Sequence, residues 1–139
     1  FDAIQKFNDF TTNILPVLND EKHYVGLLMM DDVVSGVSMM PFIAEPGSVI
    51  TVSVAQKQFS VSEVAKIVES NNAKIIAVLV TSYKEDRVFF TVKLIADNLS
   101  SIGETFERFG YTVEHKFYND EKEDMIKGRF DLLMKFLDI

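Results

Sequence analysis

The clearest pattern in the chain is a two-residue alternation running from Arg87 to Ile95. Val88, Phe90, Val92 and Leu94 fall on one face, while Arg87, Thr91 and Lys93 share the other with Phe89 and Ile95. That period predicts a strand with one face covered and the other partly wet. Just upstream, Ile75 to Val80 is apolar on both faces, which predicts a central strand. The polar run Ser82 to Asp86 predicts the hairpin turn between them.

Around this hairpin the apolar residues change to helical spacing. Ser60 with Glu63 forms a capping-box pattern, and the helix it opens places Val61, Val64, Ala65 and Val68 on one face. Asn71 and Asn72 end it. Asp97 or Asn98 starts a second helix with Leu99, Ile102, Phe106 and Phe109 inward, and Gly110 stands where a helix stop favours a left-handed residue. Strands are predicted from Gly47 to Val54 and from Tyr111 to Tyr118. The order from Gly47 is therefore β-α-β-β-α-β, a ferredoxin-like arrangement with both helices on one sheet face and the other face free. Phe89 and Phe117 are candidates for that open face, as an oligomer contact or beneath a later helix.

The first forty residues predict helix, strand, turn, strand and helix. FDAIQKFNDF puts Phe1, Ile4 and Phe7 on one helical face, with Ala3 and Phe10 near it. Ile14 to Leu18 is a short apolar run whose Pro16 limits it to a sheet edge or a strand start. Asn19 to Lys22 is a turn, and Tyr24 to Met30 a second strand. Asp31 or Asp32 caps a helix reaching about Met40. Pro41 to Gly47 carries two of the three prolines and predicts a linker. The predicted organisation of this α+β chain is residues 1–40, a linker at 41–46, a domain at 47–118 and a closing helix at 119–139. Met125, Ile126, Arg129, Phe130, Leu133, Phe136 and Leu137 form the broad stripe of that last helix, which needs the first module, the open sheet face or another subunit to cover it.

Composition narrows the function. The chain has 139 residues, 47% of them hydrophobic and 12 of them Phe, enough to build a core. A net charge of -7 without a Lys/Arg cluster argues against nucleic acid or an anionic membrane as partner. There is no cysteine, which removes disulfide, Cys-zinc and thiol chemistry and fits a cytoplasmic protein. No apolar run reaches the ~18 residues of a membrane span, and no signal peptide is visible. The chain opens at Phe1, without Met and inside a predicted helix, so a preceding segment is expected.

Few residues point to chemistry. His23 and His115 each lack a second histidine or a spaced carboxylate set, which predicts exposed histidines rather than metal ligands. The neighbours Asp31 and Asp32 point apart, and no cation site is predicted there. Met29-Met30 and Met39-Met40 are read as flexible core filler rather than a soft binding surface. Glu121 to Asp124 reads as a solvated helix start. No nucleophile-base pair stands out, and the Glu45 to Ser48 stretch precedes a strand instead of following one, so it is not a phosphate loop. The chain is expected not to be an enzyme.

The helix FDAIQKF, the run ILPVLND and the stretch VGLLMMDDVV resemble the second half of a cystathionine-β-synthase-type (CBS) repeat. SVSEVAKIVESNNAKI and SSIGETFERFGYTVE resemble an ACT-type regulatory domain. Together, with the closing helix, the chain is similar to CBS-ACT proteins of the acetoin-utilisation type. The resemblance implies a regulatory, non-catalytic module that forms a homodimer and binds an adenosine nucleotide such as AMP, ADP, ATP or S-adenosylmethionine in a cleft made by paired repeats. Only one repeat is present, so the pairing repeat comes from upstream or from a second chain. Within it, Ile14 and Pro16 match positions lining the adenine slot. Asp32 matches the carboxylate that grips ribose hydroxyls, a role that stands beside its simpler reading as a helix cap. Met29 stands where the family has a hydroxyl residue facing ribose or phosphate. On the ACT side, the loop Ala55 to Ser60 has no glycine, where amino-acid-binding members have one. An alternative reading is a structural or adaptor protein whose ligand sites have decayed.

Overall fold

The structure, a computed structural model, describes residues 1–118 and 130–137. The chain divides into two compact units, Phe1–Glu45 and Pro46–Ile139, and each holds one antiparallel sheet. The division falls inside the Pro/Gly-rich stretch. That stretch is not all linker: Pro41–Ala44 forms one helical turn, α3, with Pro41 in the first helical turn, where its missing N–H costs nothing.

The second unit contains β3 (Ser48–Ala55), α4 (Val61–Ser70), β4 (Lys74–Lys84), β5 (Arg87–Ile95), α5 (Leu99–Arg108) and β6 (Thr112–Phe117). Its strands lie in the order β4-β5-β3-β6, all antiparallel. The alternation that marked the sequence sets the register. Ile50 sits opposite Val92, Val52 opposite Phe90 and Val54 opposite Val88, and all six are buried. Val64, Ile67 and Val68 of α4 and Leu99, Ile102 and Phe106 of α5 complete the same core. Both helices therefore cover one face of the sheet. Phe90 is ringed by Phe59, Phe106 and Tyr111, with ring centroids 5.1, 6.5 and 6.0 Å away in tilted or edge-on geometry, which adds to the burial. Each buried Val, Leu, Ile or Phe side chain contributes about 1.5–3 kcal/mol.

Local signals explain the ends of these helices. Ser60 Oγ accepts from Glu63 N at 3.4 Å, and Asn98 Oδ1 accepts from Ser101 N at 3.0 Å, so both helices carry side-chain caps. Gly110 leaves α5 at φ +88°, a conformation that disfavours a side chain. Asn71 locks the two helices together: its Nδ2 donates to Ile67 O and Thr105 Oγ1, and its Oδ1 accepts from Ser101 Oγ.

Several sequence expectations need correction. The run Ile75 to Val80 is not central, because β5 takes the place beside β3 and leaves β4 at the edge. It is apolar on both faces for another reason. Ile75 and Val78 pack on the core, the end of Ile76 lies against Gly47, and Leu79 and Val80 are exposed. The turn after β4 is only Glu85-Asp86; both have positive φ (50° and 59°), as a two-residue type I′ hairpin requires. In α4 the inward set is Val64, Ile67 and Val68, and Val61 is exposed at the first turn. Phe109 is the C-cap of α5 and half exposed, so only Leu99, Ile102 and Phe106 of the expected set point inward.

The first unit contains α1 (Asp2–Asp9), β1 (Ile14–Leu18), β2 (Tyr24–Met29) and α2 (Met30–Ser38), followed by α3. This is the expected helix-strand-strand-helix order. β1 and β2 pair antiparallel, with Ile14 opposite Met29, Leu15 opposite Leu28 and Pro16 opposite Leu27. Met29 is the N-cap of α2 and no side chain caps it, so neither Asp31 nor Asp32 is a cap; both lie in the first turn, where a carboxylate still favours the helix dipole. Phe7, 3% exposed, is the one buried residue of this unit, although Phe1, Ile4 and Phe10 belong to the same expected stripe.

The last described element is α6, residues 130–137, a helix whose side chains are all exposed. The expected helix start at 120–124 and the stripe residues Met125, Ile126 and Arg129 lie outside the described residues. Among the described residues no helix is long and apolar enough to cross a membrane.

Candidate functional site

The residues matched to a nucleotide cleft lie on the β1-β2 ribbon and the junction after it. Because Ile14 pairs with Met29 and Pro16 with Leu27, these four side chains project to one face of the ribbon, and all are exposed. Leu15 and Leu28 project to the other face and are half-buried. Two hydrogen bonds fix the junction. Met30 N donates to Asn13 O at 2.8 Å, tying the start of α2 to the entrance of β1. Thr12 Oγ1 donates to Ile14 O at 3.1 Å and straightens the chain into β1. Asp32 follows two residues later and is exposed. The structure thus brings Ile14, Pro16 and Met29 onto one surface and holds the helix turn bearing Asp32 at its end. That surface is apolar and open on its outer side.

The far end of the ribbon is a polar turn. Asn19 accepts from His23 N through its Oδ1 at 2.8 Å and donates its own N–H to His23 O at 2.9 Å. His23 lies 3.4 Å from Glu21 with both side chains largely in solvent, so the pair contributes little. His115 is exposed on β6 and its ring lies 6.3 Å from that of Phe117. Among the described residues no three His, Asp or Glu side chains gather as a metal site.

A second feature of this unit is a groove that sequence reasoning missed. It has a volume of about 640 Å³ and runs between α1 and α2; Ile4, Phe7, Val33, Val34, Val37 and Ile43 line it together with polar residues that include Asn8, Thr11 and Asn13. None of Ile14, Pro16, Met29 or Asp32 lines it. The signal for it was in the sequence: Ile4 and Phe7 in one helical run and Val33, Val34 and Val37 in another.

In the second unit, the loop after β3 carries a turn of 3-10 helix, Gln56–Gln58. Phe59 then points inward onto Phe90. A shallow cleft of about 520 Å³ lies beside it, lined by Ala55, Gln56, Lys57 and Asp86.

The sheet face away from the helices carries a polar array that no motif announced. Ser53 is buried; its Oγ donates to Glu114 Oε1 at 2.7 Å and accepts from Arg87 Nη2 at 2.8 Å. Arg87 Nη2 also donates to Thr112 Oγ1 at 3.1 Å, and Thr51 and Thr91 share a hydrogen bond at 3.1 Å between their hydroxyls. The bulge in β6 next to Thr51 and Val52 makes this possible by inserting Glu114 as an extra residue. On the helix side, Tyr111 OH donates to Glu63 Oε1 at 2.7 Å, so the Glu63 side chain reaches the residue just before β6. Burial, reinforced by the Glu63 carboxylate, pushes the Tyr111 hydroxyl pKa well above its usual value.

Compared with known proteins, the chain matches no protein-family model and no curated relative.

Proposed function

We propose that the chain is a non-catalytic regulatory module of the CBS-ACT kind, in which the first unit senses an adenine nucleotide and the second, ACT-like unit dimerises or relays the signal. The observation that carries this reading is the ribbon register: Ile14, Pro16 and Met29 share one exposed apolar face, and the turn bearing Asp32 is pinned at its end. An adenine ring needs an apolar slot, and the two ribose hydroxyls need a charged acceptor beside it. The strand order β4-β5-β3-β6 with two crossover helices supports a ferredoxin-like, ACT-type second unit. Such a module acts by binding its ligand more tightly in one of two conformations.

Isothermal titration of the full chain with ATP, ADP, AMP and S-adenosylmethionine tests the reading. Saturable heat with at least one of them is expected, with binding weakened about tenfold or more by Asp32→Asn, the loss of one charge-assisted contact. No heat and no shift in melting temperature with any of the four would remove the nucleotide-sensing claim.

A second reading, an adaptor with decayed sites, is favoured by two observations. A thioether at Met29 cannot donate a hydrogen bond, and Phe59 fills the loop where an amino-acid ligand needs close backbone approach.

A further inference from the structure

The surface that bears Ile14, Pro16 and Met29 has a charge pattern of its own, and charge selects among adenosine ligands. Residues 1–45 carry seven acidic and two basic side chains, a net of -5. Two of the acids, Asp31 and Asp32, lie exposed in the first turn of α2, at the Met29 end of the ribbon. The two bases lie elsewhere. Lys22 is in the turn at the opposite end, and the length of β2, roughly 16 Å, separates it from Met29. That is about twice the Debye length in physiological salt. Lys6 is in α1, with Asp2 four residues before it and Asp9 three after, so two carboxylates share its helix face.

The start of a helix is the usual seat for a phosphate, because its free N–H groups and its dipole favour an anion. Here the seat is taken. Met30 N donates to Asn13 O, and the positive end of the dipole meets Asp31 and Asp32 of the helix's own first turn. Met29, on the apolar face beside it, has a thioether that donates nothing to a phosphate oxygen. The same thioether makes a soft contact with a methyl or sulfur group.

We propose that the adenosine ligand of this site bears no phosphate and carries a positive charge at its 5′ end, as the sulfonium of S-adenosylmethionine does. This rests on the nucleotide-sensing reading and narrows it. With Asp32 on the ribose hydroxyls, the 5′ carbon is two bonds from the carbon bearing the 3′ hydroxyl. Its substituent is then held within about one Debye length, ~8 Å, of both carboxylates. At that distance in water a unit charge gains or loses a factor of about two in affinity per carboxylate. The sulfonium gains from both, the phosphate of AMP loses, and the triphosphate of ATP loses most. A second copy facing the first across a cleft brings the same acidic composition and strengthens the preference.

The test is calorimetric titration of the full chain at low salt with S-adenosylmethionine, S-adenosylhomocysteine, adenosine, AMP and ATP. S-adenosylmethionine should bind at least about tenfold tighter than AMP, and about fourfold tighter than S-adenosylhomocysteine, which lacks only the methyl group and its charge. In about 0.5 M salt the gap to AMP should narrow to about threefold or less. Asp31→Asn, at an exposed position, should lower the preference for S-adenosylmethionine over AMP by at least about threefold at low salt, whereas Asp32→Asn should weaken adenosine itself. AMP or ATP binding as tightly as S-adenosylmethionine would overturn the proposal and leave the nucleotide-sensing reading standing. So would equal binding of S-adenosylmethionine and S-adenosylhomocysteine, or a preference that neither salt nor Asp31→Asn alters. Binding of none of the five would remove that reading and the proposal together.

Discussion

The two units of this chain solve the problem of covering apolar surface in opposite ways. In the second, β3 and β5 present seven buried residues to two helices, and a contiguous core of fifteen buried residues results. In the first, three helices and a two-stranded ribbon bury only Phe7, and Ile14, Val17, Leu18, Leu27 and Met29 stay exposed. A two-stranded ribbon is marginal in water without a further layer. The second unit encloses its core, whereas the first leaves most of its apolar side chains exposed. The difference lies in connectivity: crossover helices return to the sheet they left, and a lone hairpin has nothing to return to.

Breaking the cores separately gives the largest expected contrast. Phe90→Ala removes the ring at the centre of the aromatic cluster and should cost about 3–5 kcal/mol in chemical denaturation. Phe7→Ala removes a ring that already borders an open groove, so less is lost and less cavity is created; about 1–3 kcal/mol is expected. Equal costs would deny the contrast.

The next effect is alkaline. The folded state holds the Tyr111 pKa above its unfolded value of 10.0, mainly through burial and then through the Glu63 carboxylate. The neutral hydroxyl is thus the form the fold prefers. Its contribution is fully present below about pH 10 and is lost as pH rises beyond that, because the unfolded chain releases the proton first. Tyr111→Phe should therefore be less stable than the parent near neutral pH, by about 1 kcal/mol for the lost hydrogen bond. The gap should narrow above pH 10 when the two unfolding curves are compared. A gap that widened would show the sign to be wrong.

Caps and turns come last. Ser60→Ala and Asn98→Ala should each cost about 1 kcal/mol in the second unit. Asp86→Gly should stabilise it by up to about 1 kcal/mol by relieving a left-handed residue in the hairpin, read as a rise in the denaturation midpoint. No change in the unit's midpoint on either cap substitution would show that the caps are redundant with packing.

Legibility in the sequence followed the same division. The β-α-β-β-α-β order could be read because strict alternation and capped, helically spaced runs are local signals. Which strand lay at the edge could not, because Ile75 to Val80 is apolar on both sides whether its second face meets a layer or solvent. In α4 the apolar spacing put Val61 inward and left Ile67 unplaced, because a residue of the first helical turn can meet the expected face and still lie beyond the edge of the core. Of the candidate site, Ile14, Pro16, Met29 and Asp32 were singled out by resemblance, and the register that puts the first three on one face was not legible, because neither strand marks its partner's phase. Nor was the Arg87-Ser53-Glu114 array, since it joins three strands and depends on a bulge that no local residue marks. The α1-α2 groove was hidden for a simpler reason: apolar stripes show what must be covered, and only coordinates show that it is not.

Residue-resolved hydrogen exchange on the full chain at a concentration where it is monomeric tests the contrast most directly. Amides of Ile50 to Val54 and Val88 to Leu94 should exchange only through global unfolding, and those of Leu15, Val17, Leu18 and Val25 to Leu28 at least about a hundredfold faster through local opening. Equal protection in the two sheets would contradict the account, because the first unit would then be as complete as the second.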